Sequence, residues 1–364
     1  MKIIVLIIIV LIVLILWYLR RPIFGKAPQG ERLKRIQQSP NYKNGKFQNR
    51  TLTPTLAENT NMLAEVYKTF LKRIPNKSPL HALPTTKTDL HQLPTEGDFL
   101  IWFGHSSYFL QVAGQRFLVD PVMSGAASPM PWSVRAFSGT DVYTPADIPE
   151  IDVLLLSHDH YDHLDYRTVK ALKNKVKQVI CGLGVGAHLE AWGFEPWQII
   201  EMDWDEQYVV NEKITLHTTT ARHGSGRGFR SNNTLWLSYV LETPHLRIFI
   251  GGDSGYDRHF AEIGEKFQGF DVAILENGQY SESWPYIHML PPQTFQAAKD
   301  LKTKRLFPVH SSKFVLARHA WNEPLEALST LATSAEIPLI TPMIGQLVPL
   351  NDEPQTFNPW WKEA

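Results

Sequence analysis

Residues 157–165, SHDHYDHLD, constrain the fold of this chain more than any other segment. They contain three histidines and three aspartates and directly follow the apolar run 153–156, VLLL. A short apolar run of this kind is typical of a buried strand, and the polar residues after it indicate a loop. The next helix is expected to begin at Tyr166. The fold must therefore accommodate many ionisable side chains close together at the end of one buried strand.

The spacing H-x-H-x-D-H within this loop is typical of a metal site. Neutral imidazoles and carboxylates suit a divalent cation such as zinc, and they occur here at His158, His160, Asp162 and His163. The alternative is an ordinary solvated loop. Three more polar residues end other apolar runs in the same way, at His223, Asp253 and His310. Taken singly, each of these three is more often a loop residue, but together they favour a metal site.

Short apolar runs separated by turn residues predict strands on both sides of the loop. Before it, the predicted strands are 99–103, 108–112 and 116–119. From the loop's own strand onward they are 153–156, 178–180, 214–219, 235–241, 247–250, 272–275 and 305–309. These strands and the helical segments between them predict an α/β fold in which two sheets are covered by helices.

The N-terminal residues 3–19 are uncharged, and Trp17 and Tyr18 lie near the end of this run. The length of the run is about the minimum for a membrane-spanning helix. A cleaved signal peptide is the alternative, but the small-residue cleavage site is missing. Residues 20–50 hold nine Lys and Arg against one acidic residue, Glu31. This bias places the following domain on the cytoplasmic side. We therefore expect a single-pass membrane anchor at 1–21 and the body of the protein in the cytoplasm.

Between the anchor and the main domain, residues 22–98 are expected to form a basic juxtamembrane segment, an amphipathic helix and an irregular linker. Helical spacing over 62–74 predicts the helix, which either docks on the domain or lies on the membrane. Four prolines within 75–94 predict the linker, and the main domain is expected at 99–364. From residue 51 onward there are 26 basic and 35 acidic residues, which argues against a nucleic-acid partner.

The segments around these residues resemble the metallo-β-lactamase superfamily of binuclear metallohydrolases, and in particular the N-acylphosphatidylethanolamine-hydrolysing phospholipase D family. The segments are GHSSYFLQV (104–112), VDPVMSGAASP (119–129), LLSHDHYDHLDYRTVKAL (155–172), ARHG (221–224), GGDSGY (251–256) and FPVHSSKFVLA (307–317). The resemblance implies a four-layer αββα sandwich. It also implies two zinc ions, with manganese or iron as other metals that a His/Asp site accepts. The first zinc would bind His158, His160 and His223, the second Asp162, His163 and His310, with Asp253 bridging both.

The same resemblance implies an activity and its partners. The substrate would be N-acylphosphatidylethanolamine or a related phospholipid at a membrane, and the enzyme would be a phospholipase D-type phosphodiesterase, with a homodimer also suggested. Asp162 would orient the attacking water, and His288 would contact the substrate or assist the leaving group. A soluble lactone or cyclic phosphodiester remains an alternative substrate for the same metals. A metal-stabilised scaffold without turnover is a third interpretation, which the complete set of seven candidate ligands disfavours.

Several nearby residues have two interpretations from sequence alone. The aromatic side chains beside His288 could line an acyl groove or belong to the core; they are Tyr280, Trp284 and Tyr286. Asp120 and Asp165 could fix histidine tautomers or cap turns. The stretch 224–228, GSGRG, could contact a phosphate or form a mobile turn.

Overall fold

The computed structural model describes residues 2–54, 56–57, 60–61, 74–228, 231–333, 337–351 and 353–363. The chain starts with helix α1 (Lys2–Leu19), which has no buried side chain. By length and composition α1 could cross a membrane, and a signal sequence near the N-terminus would meet the same criteria. Helix α2 (Gly30–Gln38) and a small hairpin of β1 (Tyr42–Lys43) and β2 (Lys46–Phe47) follow. The predicted amphipathic helix at 62–74 lies outside the described residues except for its last position.

The first large sheet has seven strands. In chain order they are β3 (Phe99–Trp102), β4 (Tyr108–Val112), β5 (Gln115–Val119), β6 (Ile151–Leu156), β7 (Val176–Gly182), β8 (Ile199–Met202) and, from the C-terminal region, β15 (Leu347–Pro349). Their spatial order is β15-β3-β4-β5-β6-β7-β8. Helices α3 (Tyr166–Leu172) and α4 (Gly186–Ala191) connect the parallel strands β6, β7 and β8. A connection of this kind places the helices on one face of the sheet.

The second sheet has six strands. They are β9 (Gln207–Asn211), β10 (Ile214–Thr219), β11 (Ser238–Glu242), β12 (Arg247–Ile250), β13 (Val272–Glu276) and β14 (Leu306–Val309). They lie in the order β14-β13-β12-β11-β10-β9. Helix α5 (His259–Phe267) connects β12 to β13, α6 (Pro291–Asp300) connects β13 to β14, and α7 (Glu323–Ala332) follows β14.

The core has three apolar layers, which makes the fold a four-layer αββα sandwich. The alternation of a strand sends neighbouring side chains to opposite faces. In β6, Val153 and Leu155 belong to the cluster between the two sheets, while Leu154 and Leu156 belong to the cluster under α3 and α4. A third cluster lies between the second sheet and α5, α6 and α7. Burial of each such leucine contributes roughly 2 kcal/mol.

The strand directions bring the polar loops to one edge of this sandwich. Strands β5, β6 and β7 are parallel, and so are β12, β13 and β14. Strand β10 is antiparallel to β11, which is antiparallel to β12, so β10 runs in the same direction as β12. Because the C-terminal ends of these strands lie at the same edge of the molecule, the residues that follow them can form one site.

Most predicted strands are present, but the strand predicted at 235–241 begins only at Ser238. The three residues before it are buried, and their backbone amides bond to loops of the other sheet: Leu235 N–H donates to Leu183 O and Leu237 N–H to Ser157 O. Strands β8, β9 and β15 were not predicted. The division at 21 and 98 stays a prediction; the structure adds that Ile36 and Phe47 lie in the cluster between the sheets.

Candidate metal centre

The loop after β6 is held by the aspartate that follows β5. Asp120 accepts hydrogen bonds from Ser157, through its N–H at 2.8 Å and its hydroxyl at 2.6 Å. Its Oδ2 also lies 2.8 Å from His163 Nδ1. A proton on Nδ1 leaves the Nε2 lone pair of His163 for a cation, so Asp120 sets the tautomer of this ring. Asp165 has the other predicted role, because it caps α3 by accepting from the N–H of Arg167.

Three histidines converge in the first group of candidate ligands. His160 Nδ1 lies 2.9 Å from His158 Nε2 and 3.2 Å from His223 Nε2. The Nδ1 of His223 lies 2.9 Å from Ile287 O, to which it can donate, leaving Nε2 as the free nitrogen. Nitrogens on a tetrahedral zinc ion at a Zn–N distance of about 2.05 Å would stand roughly 3.3 Å apart. The observed separations therefore fit a single small cation.

The second group contains Asp162, His163 and His310, and His105 joins it. His105 Nε2 lies 2.9 Å from Asp162 Oδ2, and its ring centre lies 4.2 Å from that of His310. Asp253 lies between the two groups. Its Oδ2 is 3.1 Å from His163 Nε2, 3.7 Å from His223 Nε2 and 3.8 Å from His158 Nε2. The structure thus brings all seven predicted ligands together, and their assignment as ligands stays a prediction.

Unsatisfied buried atoms support a fit to metal ions. The Nε2 atom of His310 is buried and makes no hydrogen bond to any described residue, and the buried Nε2 of His163 has the Asp253 carboxylate 3.1 Å away. An uncompensated buried polar atom costs about 1–3 kcal/mol, and buried polar groups are normally paired. A cation between these nitrogens and the Asp253 carboxylate would satisfy them. The donors are therefore suited to a binuclear metal centre.

The electrostatics keep most of these donors in the form that binds metal; the exception is His163, whose pKa burial would lower but Asp253 and Asp162 raise well above the ordinary histidine value. Burial holds the pKa of His158 and His310 well below the ordinary histidine value, and it lowers that of His223 to about 3. Burial alone would raise the pKa of Asp162 and Asp253, but His163 reverses this and holds both well below their usual range. Neutral imidazoles and ionised carboxylates are the states that coordinate a divalent cation.

Within the stretch 224–228, the arginine is not free to contact a phosphate in the cavity. Arg227 is buried and donates to three backbone carbonyls, those of Ile23, Asp159 and Leu164. Its guanidinium also lies 4.2 Å from the ring centre of Tyr161. The arginine therefore fixes the back of the metal loop to the segment that follows α1, and its charge is not available to a ligand in the cavity.

A second contact joins the same segment to the same loop. His188, at α4, accepts from the N–H of Lys26 through Nδ1 at 2.8 Å, and its Nε2 lies 3.1 Å from Asp159 Oδ2. Asp159 also accepts from the N–H of Gly226. Sequence reasoning gave His188 no role, because a single histidine in a helix carries no signal of its partner 162 residues away.

A cavity of about 290 Å³ opens at the candidate metal centre. Its floor carries His160, Asp162, Asp253 and His310, and its wall carries His288. The remaining lining residues are Leu56, Gln279, Trp284, Ile287 and Leu316, of which four are apolar. Among these, Leu56, Gln279 and Leu316 were not anticipated. Leu56 lies far from every motif in sequence, so nothing local could have indicated it.

The three predicted aromatic residues have different positions. Trp284 lines this cavity. Tyr280 lines a separate cavity, where its hydroxyl donates to Glu323 at 2.9 Å. The guanidinium of Arg222 lies over the ring of Tyr286, 4.8 Å from the centre of that ring. The substrate-binding role of all three stays a prediction, which the cavity lining supports for Trp284.

His288 is held over the centre by a buried carboxylate. Its Nδ1 lies 3.3 Å from Glu276 Oε2, and its ring stacks on that of His310. Burial lowers the pKa of His288, but Glu276 more than offsets this and the pKa is raised overall. Burial raises the pKa of Glu276 to about 7.

A Cβ on Gly255 would lie 1.9 Å from Tyr286 O, so only glycine lets this loop pack so closely beside Asp253.

Comparisons with known proteins agree with this site. The family model described as "Beta-lactamase superfamily domain" matches residues 115–311. Protein Rv0906 of Mycobacterium tuberculosis is 35% identical over 90% of this chain and 88% of its own length. The Caenorhabditis elegans protein named N-acyl-phosphatidylethanolamine-hydrolyzing phospholipase D 1 is 29% identical over 73% of this chain and 77% of its own. The structure of Igni18, a metallo hydrolase from Ignicoccus hospitalis, covers 69% of this chain and 97% of its own at 19% identity, with a TM-score of 0.54.

The αββα sandwich and the His/Asp centre at its edge define a metal-dependent hydrolase. The chain belongs to the metallo-β-lactamase superfamily.

Proposed function

We propose that this protein is a membrane-anchored binuclear zinc phosphodiesterase of the phospholipase D type. Its substrate would be N-acylphosphatidylethanolamine or a related phospholipid. The observation that carries the proposal is the cavity above the joined donor groups, because a mostly apolar lining lies directly over a floor of metal-binding side chains. A lipid phosphodiester combines these two features in one molecule.

Two further observations support this substrate class. The nematode relative carries the name of an N-acylphosphatidylethanolamine hydrolase, and its similarity extends over 73% of this chain. Helix α1 is apolar on all sides, and arginines at 20 and 21 follow it. An uncleaved helix of this kind would hold the cavity close to its lipid substrate, with the body on the cytoplasmic side.

The chemistry divides between the cations and the side chains. When bound, two cations would supply a water of pKa near 7 as nucleophile and would offset negative charge on the phosphoryl oxygens. The protein would hold them at His158, His160 and His223, and at Asp162, His163 and His310, with Asp253 shared. Zinc is proposed because a site of histidines and carboxylates suits it.

The side chains position the reacting groups. Asp162, fixed by His105, orients the attacking water. The water oxygen bonds to phosphorus, and the P–O bond to the N-acylethanolamine breaks. The leaving oxygen takes a proton, which gives phosphatidate and a free N-acylethanolamine. His288 is tied to Glu276 through Nδ1, so that Nε2 is the atom left to hydrogen-bond the leaving oxygen.

The test is phosphatidate release from vesicles that contain N-acylphosphatidylethanolamine, followed by mass spectrometry with zinc-loaded full-length protein. Asp253→Ala provides the background, and His245→Ala is a matched control because His245 is exposed and distant from the cavity. The wild type and His245→Ala are expected to release phosphatidate, and Asp253→Ala is not. No release by wild-type protein that holds two metals would overturn the lipid substrate and direct the search to soluble lactones and cyclic phosphodiesters.

A further inference from the structure

Residues 126–135 form a short hairpin-like loop closed by hydrogen bonds, here called the finger. Ala126 pairs with Arg135 in an antiparallel bridge, and the N–H of Ala127 donates to Val134 O at 3.0 Å. The tip is closed by the hydroxyl of Ser133, which donates to Ser128 Oγ at 2.7 Å. These bonds give the tip a fixed shape. A rigid tip does not lose conformational entropy when it meets a partner.

The finger tip exposes large apolar side chains. Trp132 is 71% exposed and Met130 is 39% exposed, and Pro131 lies between them. An exposed tryptophan on a structured tip has no role in the core of the domain. Because Met130 and Trp132 are only two residues apart, they form a small apolar surface that suits contact with another apolar phase or with another protein.

The base of the finger is fixed to the wall of the active-site cavity. Ala127 and Val122 pack with Phe314 in a small apolar cluster. Two residues after Phe314, Leu316 lines the cavity over the metal centre. The position of the finger tip is therefore fixed relative to the mouth of this cavity.

The finger tip also contacts the end of helix α1. The hydroxyl of Tyr18 donates to Pro129 O at 3.0 Å, and its ring lies edge-on to that of Phe24. Next to Tyr18, Trp17 is exposed, and so is Arg21. Tryptophan, tyrosine and arginine at the end of an apolar helix are typical of the membrane–water interface. The finger tip thus stands at the level where α1 would leave the bilayer.

We propose that the finger tip enters the interfacial layer of the bilayer that α1 crosses, so that Trp132 and Met130 form a second membrane contact. This proposal rests on the membrane anchoring proposed above and adds to it. One contact at α1 leaves the body free to rotate about the helix, whereas two contacts fix its orientation. The cavity lined by Leu316 then keeps a fixed orientation relative to the lipid surface from which the substrate must be drawn.

The direct test is a fluorescent label at Met130→Cys in the full-length protein, reconstituted in phosphatidylcholine and phosphatidylglycerol vesicles. Cys181 is the single native cysteine and is buried, so the label reacts at the introduced site. Glu212→Cys is the matched control, because Glu212 is exposed in the turn between β9 and β10, at the opposite end of the sandwich. Vesicle flotation measures anchoring independently.

The proposal expects a blue shift at position 130 and quenching by lipids that carry a quencher on the acyl chain, with neither effect at position 212. An unshifted label in protein that floats with the vesicles would overturn the finger contact and leave the anchor intact. A blue shift without lipid quenching would indicate burial against a second copy and would also overturn it. Protein that does not float would overturn both the anchor and the finger contact.

A turnover measurement gives a second, independent readout. The double variant Met130→Ser, Trp132→Ser changes only exposed side chains, so its fold and metal content should equal those of the wild type. Because the variant removes the aromatic side chain that would be buried in the lipid, turnover of vesicle substrate is expected to fall by roughly tenfold. Turnover of a short-chain substrate dispersed below its micelle concentration should not change. Equal losses on both substrates would contradict a membrane role for the finger.

Discussion

The two walls of the candidate metal centre are built differently. The first wall comes from the seven-stranded sheet and consists of the loop at 157–165 with Asp120 behind it. The second wall comes from the six-stranded sheet and consists of His223, Asp253 and His310, which follow three different strands. Four candidate ligands of the first wall lie within six consecutive residues, whereas those of the second wall span 88 residues. The first wall is therefore local in sequence, and the second exists only once its sheet has formed.

The supports of the two walls also differ in chemistry. The first wall is held by the Asp120 carboxylate, which accepts three hydrogen bonds from Ser157 and His163. The second wall uses the hydroxyl of Ser254, which accepts from the N–H of Arg222 and lies 3.2 Å from His259 Nε2. One wall thus depends on a negative charge and the other on a buried imidazole. This difference predicts separate sensitivities to mutation and to pH.

The largest effect is expected where the walls meet. Asp253→Asn removes the anionic oxygen that lies between His163, His223 and His158. Both metals should be weakened together, and activity should fall by more than the roughly hundredfold that loss of an outer hydrogen-bond partner costs. Metal content by mass spectrometry and phosphodiesterase rate are the measurements. His160→Ala is the comparison, since it should lower the occupancy of the first metal site alone. Full retention of two metals by Asp253→Asn would contradict the assignment of Asp253 as a ligand shared by both metals.

The next effect tests the charge behind the first wall. Asp120→Ala leaves His163 Nδ1 without its acceptor, and metal affinity should fall by about 10- to 100-fold. Competition with a chelating dye measures this affinity. Asp120→Asn should recover part of the loss, because its amide oxygen can still accept a hydrogen bond. Wild-type affinity in both variants would show that the ring of His163 is oriented by other contacts.

A third effect is the pH dependence that His259 gives to the second wall. Burial lowers the pKa of His259 to about 4, against an ordinary value near 6.5. As pH falls below 6.5, His259 is protonated in the unfolded chain, whereas in the folded protein it stays neutral until about pH 4. The free energy of unfolding therefore decreases between these two pH values. Between pH 7 and pH 5 the contribution is about 2 kcal/mol.

The measurement is urea denaturation of the wild type and of His259→Gln at both pH values. The variant should lose about 2 kcal/mol less than the wild type over this interval. Metal-linked effects are common to both proteins and cancel in the difference. Superimposable pH dependences would show that His259 accepts a proton in the folded state.

The smallest effect separates a cap from a metal support. Asp165→Ala removes the N-cap of α3, where the carboxylate accepts from the N–H of Arg167 and from the hydroxyl of Thr168. The free energy of unfolding should fall by about 1 kcal/mol. Metal affinity should equal that of the wild type, in contrast to Asp120→Ala. A loss of metal affinity similar to that of Asp120→Ala would mean that both aspartates support the first wall.

The predictability of the molecule from sequence follows the same division. The first wall was predicted from spacing, because the H-x-H-x-D-H residues and the strand before them are contiguous. The residues of the second wall were indicated only by their positions after apolar runs, and their assignment to individual metals came from the resemblance, because spacing does not state that β10, β12 and β14 end at one edge. The edge strand β9 was missed because none of its five residues is buried, and Gln207 and Asn211 leave only three apolar residues between them. The buried position of Phe47 was missed because the hairpin that carries it has only two residues in each strand.

The carbonyl of Ile23 has a consequence for how the chain acquires its structure. It accepts hydrogen bonds from Arg227, 204 residues later, and Arg227 in turn holds the metal loop through Asp159 and Leu164. During synthesis the Ile23 carbonyl therefore cannot accept these hydrogen bonds until Arg227 has been made, which is after more than half of the chain. Contacts of such long sequence separation form late, since their loop-closure entropy must be overcome first. The ability to retain metal should consequently be among the last properties that a newly made molecule gains.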